Sequence, residues 1–580
     1  MQFANVIALF TQQVERYDDK PWLWARDGDG ELQFISWRDV AAQVTALGAA
    51  MRFHHVKKGD RVMLLAPNSP QWIIANLAII KAGAISVPAY VTDTLGAHEA
   101  ILRNVQAEYC VCAAQFLKPE FLAMAEDTGV KRIWVIGEVP EHTGSVALSR
   151  IKAAPQDMPG IKWPQLKRGD ICTIIHTSGT SGNPRGVMLT HKSLLHNLAG
   201  VTKVWQDLPG FKLGEERFLS FLPLSHSYEY LAGQFVPMIM GAETLYVAEL
   251  DRLLPEMQAT SPTIMTAVPR FFEMVRGRIL GQMARQNMIR QKLFFAALAL
   301  GEKSITGTLG PGEKLLNALL DHLVRKRIAG RLGGSLKVFA SGGGPLPYEI
   351  GMFFTALGVR ILQGYGLSET SPVVSVNLPQ DSRMGTVGPP LEGVDVMINP
   401  DGEILVRGDL LMKGYWGDEE ATKQVIKHGW LHTGDIGKFD DGHLVITDRK
   451  KDIIVNSGGE NIAPQRVEGI LSLAAEIQQV MVYGDTHPFL VAVIVPDYDA
   501  IGKEDPQTAI IQAVQKGADN GLYPHERVRK FVIADGPFTI ADGLMTPSMK
   551  IRRHKILEIY KSRLDALYRK DIVVKMNKSS

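Results

Sequence analysis

Uninterrupted apolar runs, each separated from the next by a longer amphipathic stretch, constrain the fold of this chain more than any other feature. Arg61-Val-Met-Leu-Leu-Ala66, Ile171-Cys-Thr-Ile-Ile-His176, Arg217-Phe-Leu-Ser-Phe-Leu222, Thr244-Leu-Tyr-Val247 and Leu336-Lys-Val-Phe-Ala340 are such runs, and Gln71 to Ala82 reads as an intervening helix. A strand with one wet face alternates apolar and polar residues. A strand without alternation is covered on both faces, as in parallel sheets layered between helices. The chain therefore reads as α/β. At 580 residues it exceeds what one hydrophobic core fills, so three or four folding units are expected.

The pattern changes from about Gly385. Val394-Asp-Val-Met-Ile398, Glu403-Ile-Leu-Val-Arg407 and the segment around Asp440-Asp-Gly-His443 are short strands punctuated by Asp-Gly turns, the signature of hairpins and a small β-rich unit. After Asp448-Arg-Lys-Lys-Asp452 a compact α/β tail follows, with strands expected at Gln479–Tyr483 and Val491–Val495. Arg276 to Arg331 stands apart as helical and basic. Arg285, Arg290, Lys292, Arg325, Lys326, Arg327 and Arg331 surround apolar runs, and two amphipathic helices joined near Thr306–Gly312 are expected. Such a surface suits either an anionic lipid face or a solvated hairpin packed on the main domain.

The charges nearly cancel, 63 Lys and Arg against 61 Asp and Glu, so nothing favours nucleic acid as a partner. Three cysteines, Cys110, Cys112 and Cys172, are too few for a disulfide framework and fit a reducing compartment. The start lacks a basic segment followed by an apolar core. The most apolar stretch, Ile73 to Val91, is broken by Asn76, Lys81, Gly83 and Pro88 and reads as a buried helix then a strand. A cytoplasmic location is expected, at most peripheral on the inner face of a membrane.

Strand Ile171–His176 runs into Thr177-Ser-Gly-Thr-Ser-Gly-Asn-Pro-Arg-Gly186. Glycines let successive N–H groups converge on an anion, the hydroxyls of Thr177, Ser178, Thr180 and Ser181 add donors, and Arg185 adds a cation suited to phosphate. Gly179 and Gly182 supply the turns. The spacing is not that of a P-loop, and a Ser/Gly-rich surface turn has the same composition.

Four further segments, Leu222-Pro-Leu-Ser-His226, Gly364-Tyr-Gly-Leu-Ser-Glu-Thr370, Gly429-Trp-Leu-His-Thr-Gly-Asp435 and Asp448-Arg-Lys-Lys-Asp452, follow in order. With the first they resemble the motif set of the adenylate-forming (AMP-binding) superfamily over nearly the whole chain. Leu222–Glu229, Val268-Pro-Arg-Phe-Phe-Glu273, the basic helical segment and Leu544-Met-Thr-Pro-Ser-Met-Lys-Ile-Arg-Arg553 look like its long-chain fatty acyl-CoA synthetase branch.

The resemblance implies a large N-terminal domain (1–447) of two parallel α/β sheets plus a small β-rich subdomain, a hinge at 448–452, and a smaller mobile α+β C-terminal domain (453–580). It implies that ATP, Mg2+ and coenzyme A are used to convert a fatty acid to acyl-AMP and then to acyl-CoA. Glu369 matches the family's magnesium ligand, with Thr180 beside the metal and Ser368 a neighbouring hydroxyl. Tyr365 and Gly366 would meet the adenine, with Gly343 and Gly344 letting the backbone approach it. Asp435 matches the ribose-binding carboxylate and Arg449 the arginine near the same sugar. His226 would face the carboxylate being activated, and Lys550 would offset repulsion between the two anionic reactants. Lys451 marks the hinge, and Gly458 and Gly459 would line the pantetheine path after rotation. An acyl tunnel is expected beside Tyr228, Tyr230 and Gly233. Arg185 stands where most relatives carry lysine. A fatty acyl-AMP ligase or carrier-protein synthetase shares the first step, a peptide-synthetase adenylation domain lacks a use for the long-chain features, and a silent lipid-binding scaffold is the alternative outside catalysis.

Overall fold

The computed structural model of the chain describes residues 3–141, 146–150, 161–177, 185–519, 521–546 and 549–569. Two eight-stranded sheets make up its larger part. In one, Ile361–Gly366, Val338–Ser341, Ile264–Ala267, Arg217–Ser220, Glu243–Tyr246 and Pro21–Arg26 lie parallel in that spatial order. Antiparallel strands Val373–Val376 and Leu32–Ser36 form its edges. In the other, Ile171–Thr177, Ile85–Pro88, Arg61–Leu65, Tyr109–Ala113, Arg132–Ile136 and Ala147–Arg150 lie parallel. That sheet is extended by the antiparallel strands Arg185–Thr190 and Gly414–Tyr415. Tyr109–Ala113 is buried at every position, the two-sided coverage expected from its lack of alternation.

The stretch Ile73 to Val91 is indeed a helix and a strand. Pro70–Lys81 starts at Ser69, whose side chain accepts the Trp72 N–H, with Pro70 in the first turn where its missing donor costs nothing. The three cysteine thiols are free and buried. From Val394 a five-stranded antiparallel sheet follows, built on the hairpins Val394–Ile398/Glu403–Gly408 and Trp430–Asp440/His443–Arg449. Beyond Ile454 the chain builds its own two apolar cores around strands Ile477–Tyr483, Leu490–Pro496 and Val528–Ile533. Leu473 and Met549 reach out of this part to pack on the phenylalanine-rich core of the first sheet, and Arg276 donates to the Leu473 carbonyl at 3.4 Å.

The basic segment contains the expected pair of helices but departs from expectation in one side chain. It holds helices Met288–Thr306 and Pro311–Leu320, a wider turn at Asp321–Arg325 and a further helix, Lys326–Arg331. Arg325 is not part of the charged surface. It is 7% exposed and donates to the carbonyls of Ala356, Ala297 and Asn317 and to Asn317 Oδ1. Its guanidinium fork reaches carbonyls on three helices, Ala297, Asn317 and Ala356, which stitches the segment to the end of helix Tyr348–Ala356. Phe294, Ala297, Leu320 and Ile328 face the domain, whereas Met288, Ile289, Phe295, Leu315, Leu316 and Leu319 face solvent.

One ionisable group sits deep in the first sheet's core. Glu229 is fully buried, receives hydrogen bonds from Ser220 Oγ (2.6 Å) and Thr266 Oγ1 (2.7 Å), and folds back over Gly233, where a Cβ would come within 2.3 Å of its Oε1. Burial outweighs the two hydroxyls and pushes the carboxyl up to about 7 from 4.5. Between these values the unfolded chain releases a proton that the native state keeps, so stability falls as pH rises through that window. Glu229→Gln removes this cost, worth roughly 3 kcal/mol at full ionisation. Thermal unfolding should show the variant's advantage over wild type opening between about pH 4.5 and pH 7 and staying level above it.

Candidate active site

The C-terminal ends of both large sheets, the five-stranded sheet and the C-terminal part open onto one cleft of about 2060 Å³. Thr177, Arg185, His226, Gly343, Gly344, Tyr365, Gly366, Ser368, Glu369, Asp435, Arg449, Lys451 and Lys550 all line it. Thr177 pairs with Arg185 across the two strands that flank the Ser/Gly-rich loop. Ser178, Gly179, Thr180, Ser181 and Gly182 lie outside the described residues.

Strand Ile361–Gly366 delivers Tyr365 to the cleft and then turns back antiparallel as Val373–Val376. Gly366 is required there, because a Cβ would fall 1.8 Å from the Pro372 carbonyl oxygen. The intervening turn, Ser368–Thr370, is held by the Thr370 hydroxyl, which receives the Leu367 N–H at 3.0 Å. It sets Ser368 Oγ 2.8 Å from Ser227 Oγ. Glu369 is fixed through its backbone, whose carbonyl accepts the Met412 N–H at 2.8 Å.

Asp435, on strand Trp430–Asp440, is 4% exposed. Tyr365 Oη donates to its Oδ2 at 2.7 Å and Arg449 Nε to its Oδ1 at 2.8 Å. Arg449 sits directly opposite Asp435 in the strand register. Each carboxylate oxygen thus keeps a lone pair for a further donor such as a sugar hydroxyl. Burial and the neighbouring carboxylate push the Tyr365 phenol up, so its proton stays in place.

His226 precedes a short helix, and its Nδ1 accepts the Tyr228 N–H at 3.2 Å. Burial, with help from Lys550, lowers its imidazolium to about 3, so the ring is neutral. A neutral ring that accepts at Nδ1 carries its proton on Nε2, a donor for an anionic oxygen in the cleft.

Lys550 follows Met549, a non-glycine residue at φ 61°, and is tied by Lys550 N–H to Thr546 Oγ1 at 3.0 Å. Its side chain is open to the water of a half-open cleft, with protein crowded around it. That enclosure and Arg449 lower its ammonium to about 8, with Asp435 and Asp452 opposing. It remains a cation at neutral pH with little margin.

Gly458 and Gly459 lie in an exposed turn that is not part of the cleft wall. Tyr230 and Gly233 also miss it. Tyr230 is fully buried with its hydroxyl against Asn76, and Gly233 is covered by Glu229. The helix instead turns Tyr228, Leu231, Ala232 and Val236 to the cleft, where they meet Val201, Val204, Trp205 and Phe218 in an apolar branch. Sequence reasoning also missed Tyr415, which donates to Glu369 Oε1 at 2.8 Å. Gly414-Tyr415-Trp416-Gly417 carries no charge that would single it out in the sequence.

An ammonium near 8 predicts the pH dependence. Because kcat/KM reports the free enzyme, this ratio for carboxylate activation should fall above about pH 8 with unit slope. Lys550→Arg, slower but permanently charged, should lose that alkaline limb.

The profile of the AMP-binding enzyme family matches residues 10–416, and that of the AMP-binding enzyme C-terminal domain matches residues 451–572. The long-chain-fatty-acid–CoA ligase FadD15 of Mycobacterium bovis is 32% identical over 98% of this chain and 97% of its own length. Long chain acyl-CoA synthetase 3 of Arabidopsis thaliana is 30% identical over 98% and 92%. Among solved structures, the adenylation domain of a carboxylate reductase from Mycobacterium chelonae superposes with a TM-score of 0.78 at 23% identity, covering 97% of this chain and 91% of that one. The anthranilate CoA ligase AuaEII, solved with anthranoyl-AMP, gives 0.75 at 23% identity over 97% and 98%.

Proposed function

This chain belongs to the AMP-binding enzyme family, and on that premise we propose that it is an ATP-dependent fatty acid–CoA ligase. It converts a medium- or long-chain fatty acid and ATP to acyl-AMP and pyrophosphate, and then transfers the acyl group to coenzyme A with release of AMP. The observation that carries this reading is the convergence of Arg185, Glu369, Asp435, His226 and Lys550 on one cleft with an apolar branch.

The first step joins two anions, a carboxylate and the α-phosphate of ATP. Lys550 supplies a fixed positive charge where they meet, in an enclosed site where it counts for more than in bulk water. His226 Nε2–H gives a neutral donor to the same oxygens. The α-phosphorus–oxygen bond to pyrophosphate breaks as the carboxylate oxygen forms its bond to phosphorus. Asp435, steadied by Tyr365 and Arg449, receives the ribose hydroxyls, and Thr177 with Arg185 meets the polyphosphate. Glu369 would hold Mg2+ through its carboxylate, the donor type that suits this hard cation, and the ion would supply neutralisation of phosphate charge. The acyl chain lies along Tyr228, Leu231, Ala232, Val236 and Trp205.

For the second step, residues 448–452, Lys451 among them, act as the hinge between 1–447 and 453–580. Rotation there withdraws Lys550 and brings the turn with Gly458 and Gly459 toward the carbonyl, so that the thiol attacks and AMP leaves.

The segment 276–331 is the proposed membrane contact. Met288, Ile289, Phe295, Leu315, Leu316 and Leu319 are 44–77% exposed. Besides the buried Arg325, eight lysines and arginines stand against three acidic residues between Arg285 and Arg331. That combination fits an anionic phospholipid surface. Among the described residues no helix is long and apolar enough to cross a membrane.

Two experiments test this reading. With ATP, free coenzyme A and acids of several lengths, the wild type should form acyl-CoA. Lys550→Ala should cut acyl-AMP formation about 10²–10³-fold while thiolation of preformed acyl-AMP changes far less. Acyl-AMP accumulation with no thioester on free coenzyme A would point to a carrier-protein acceptor, and equal loss in both halves would remove Lys550 from its role. In co-sedimentation, the protein should bind phosphatidylglycerol vesicles more than phosphatidylcholine ones, and Leu315→Glu with Leu319→Glu should abolish the difference.

A further inference from the structure

The residues 412–416 form a short strap that reaches three parts of the cleft at once. Its backbone is zipped to the strand that follows the Ser/Gly-rich loop: Lys413 N–H donates to Met188 O at 2.9 Å and Trp416 N–H to Gly186 O at 2.7 Å. At its start, Met412 N–H holds the backbone carbonyl of Glu369 at 2.8 Å. Three residues on, Tyr415 Oη donates to Glu369 Oε1, also at 2.8 Å. The Arg185 guanidinium carbon lies 5.4 Å from the centre of the Tyr415 ring, within cation–π range. Tyr415 is 7% exposed, and Gly414 and Tyr415 pair with Met188 and Val187. Its ring is therefore fixed by strand register and its hydroxyl has one direction to point. Burial, then the carboxylate of Glu369, pushes the phenol up, so it is the donor in this pair.

We propose that Tyr415 is a positioning residue that holds Glu369 by its Oε1 and so favours Oε2 as the single ligand of the divalent cation accompanying the nucleotide, and that Arg185, beside the same ring, links the strand after the Ser/Gly-rich loop to that carboxylate. The inference rests on Glu369 being the cation's ligand in the proposed reaction. The chemistry is specific. A small cation with strict octahedral geometry binds a carboxylate best through one oxygen, because a two-oxygen chelate imposes a narrow angle. A phenol that takes one lone pair of Oε1 disfavours that chelate and leaves Oε2 the better single ligand. A freely rotating glutamate side chain must lose its rotamer freedom when it binds, and here that loss is met before the cation arrives. The same geometry gives Arg185 a use that lysine would not share. Its guanidinium carbon lies 5.4 Å from the ring centre, and five N–H donors let it meet the tyrosine and a phosphate together.

The test uses the full chain with Mn2+ as the probe, its binding followed by electron paramagnetic resonance in the presence of a non-hydrolysable ATP analogue. Tyr415→Phe keeps the ring and the Arg185 stack and deletes only the O–H. The expected result is a Mn2+ half-saturation about tenfold higher than wild type, the size of a lost hydrogen bond to a charged group. In turnover, raising Mg2+ should recover most of the lost rate. Tyr415→Leu, which also deletes the stack, should raise half-saturation further. Glu369→Gln is the reference. If it shifts Mn2+ binding strongly and Tyr415→Phe does not, the positioning role is overturned while the ligand assignment stands. If Glu369→Gln leaves Mn2+ binding unchanged, the ligand assignment falls and the role of Tyr415 falls with it.

Discussion

Asp435 joins parts of the molecule that are otherwise far apart in the chain. Its carboxylate takes a hydrogen bond from Tyr365, at the end of a large-sheet strand, and an ion pair from Arg449, at the edge of the five-stranded sheet where the C-terminal part begins. A buried carboxylate without partners would be costly, and with these two it is both tolerated and immobile. The proposed nucleotide pocket is therefore organised before any ligand enters, which is the condition under which fixed dipoles and charges lower a barrier most. It also makes the proposed hinge sensitive to what occupies the cleft, since Arg449 stands at its first turn.

Lys550 follows the opposite principle. Its cationic charge is placed where desolvation and Arg449 both oppose it, and its ammonium lies only about one unit above neutral pH. An ammonium that is barely stable in the empty cleft gains most from the arrival of two anions. In the proposed first step the charge is thus worth more in the encounter complex than in the free protein. The packing of Met549 on the first-sheet core and the Arg276–Leu473 hydrogen bond are weak, local contacts that hold the C-terminal part in this orientation. Neither is large enough to prevent the proposed rotation about 448–452.

Legibility varied with how local the physics was. The strands Arg61–Leu65, Ile171–Thr177 and Leu490–Pro496 were readable because a continuous apolar run has few other folds open to it. The Asp-Gly turns at 401–402 and 441–442 were readable because both are hairpin tips where the backbone needs φ > 0, seen at Gly402, Asp441 and Gly442. Arg325 was misread because one arginine in a basic stretch looks like its neighbours. Only the carbonyls of Ala297, Asn317 and Ala356 around it, up to 31 residues away in sequence, turn it inward. Tyr230 and Gly233 were misplaced for a related reason, since a wider helical turn at Tyr230–Phe235 changes which side chains face the cleft.

By itself the sequence determined the α/β class, the order of the motifs and the chemical types in the cleft, because hydrophobic periodicity and side-chain chemistry are properties of short segments. Only the tertiary structure decided that Tyr365 and Arg449 share Asp435, that Tyr415 holds Glu369, and that Lys550 is both enclosed and wet. Those are contacts between residues 14 to 70 positions apart, or the result of how protein surrounds a charge. Hydrogen bonds and desolvation act through space, and a linear pattern contains no measure of that distance.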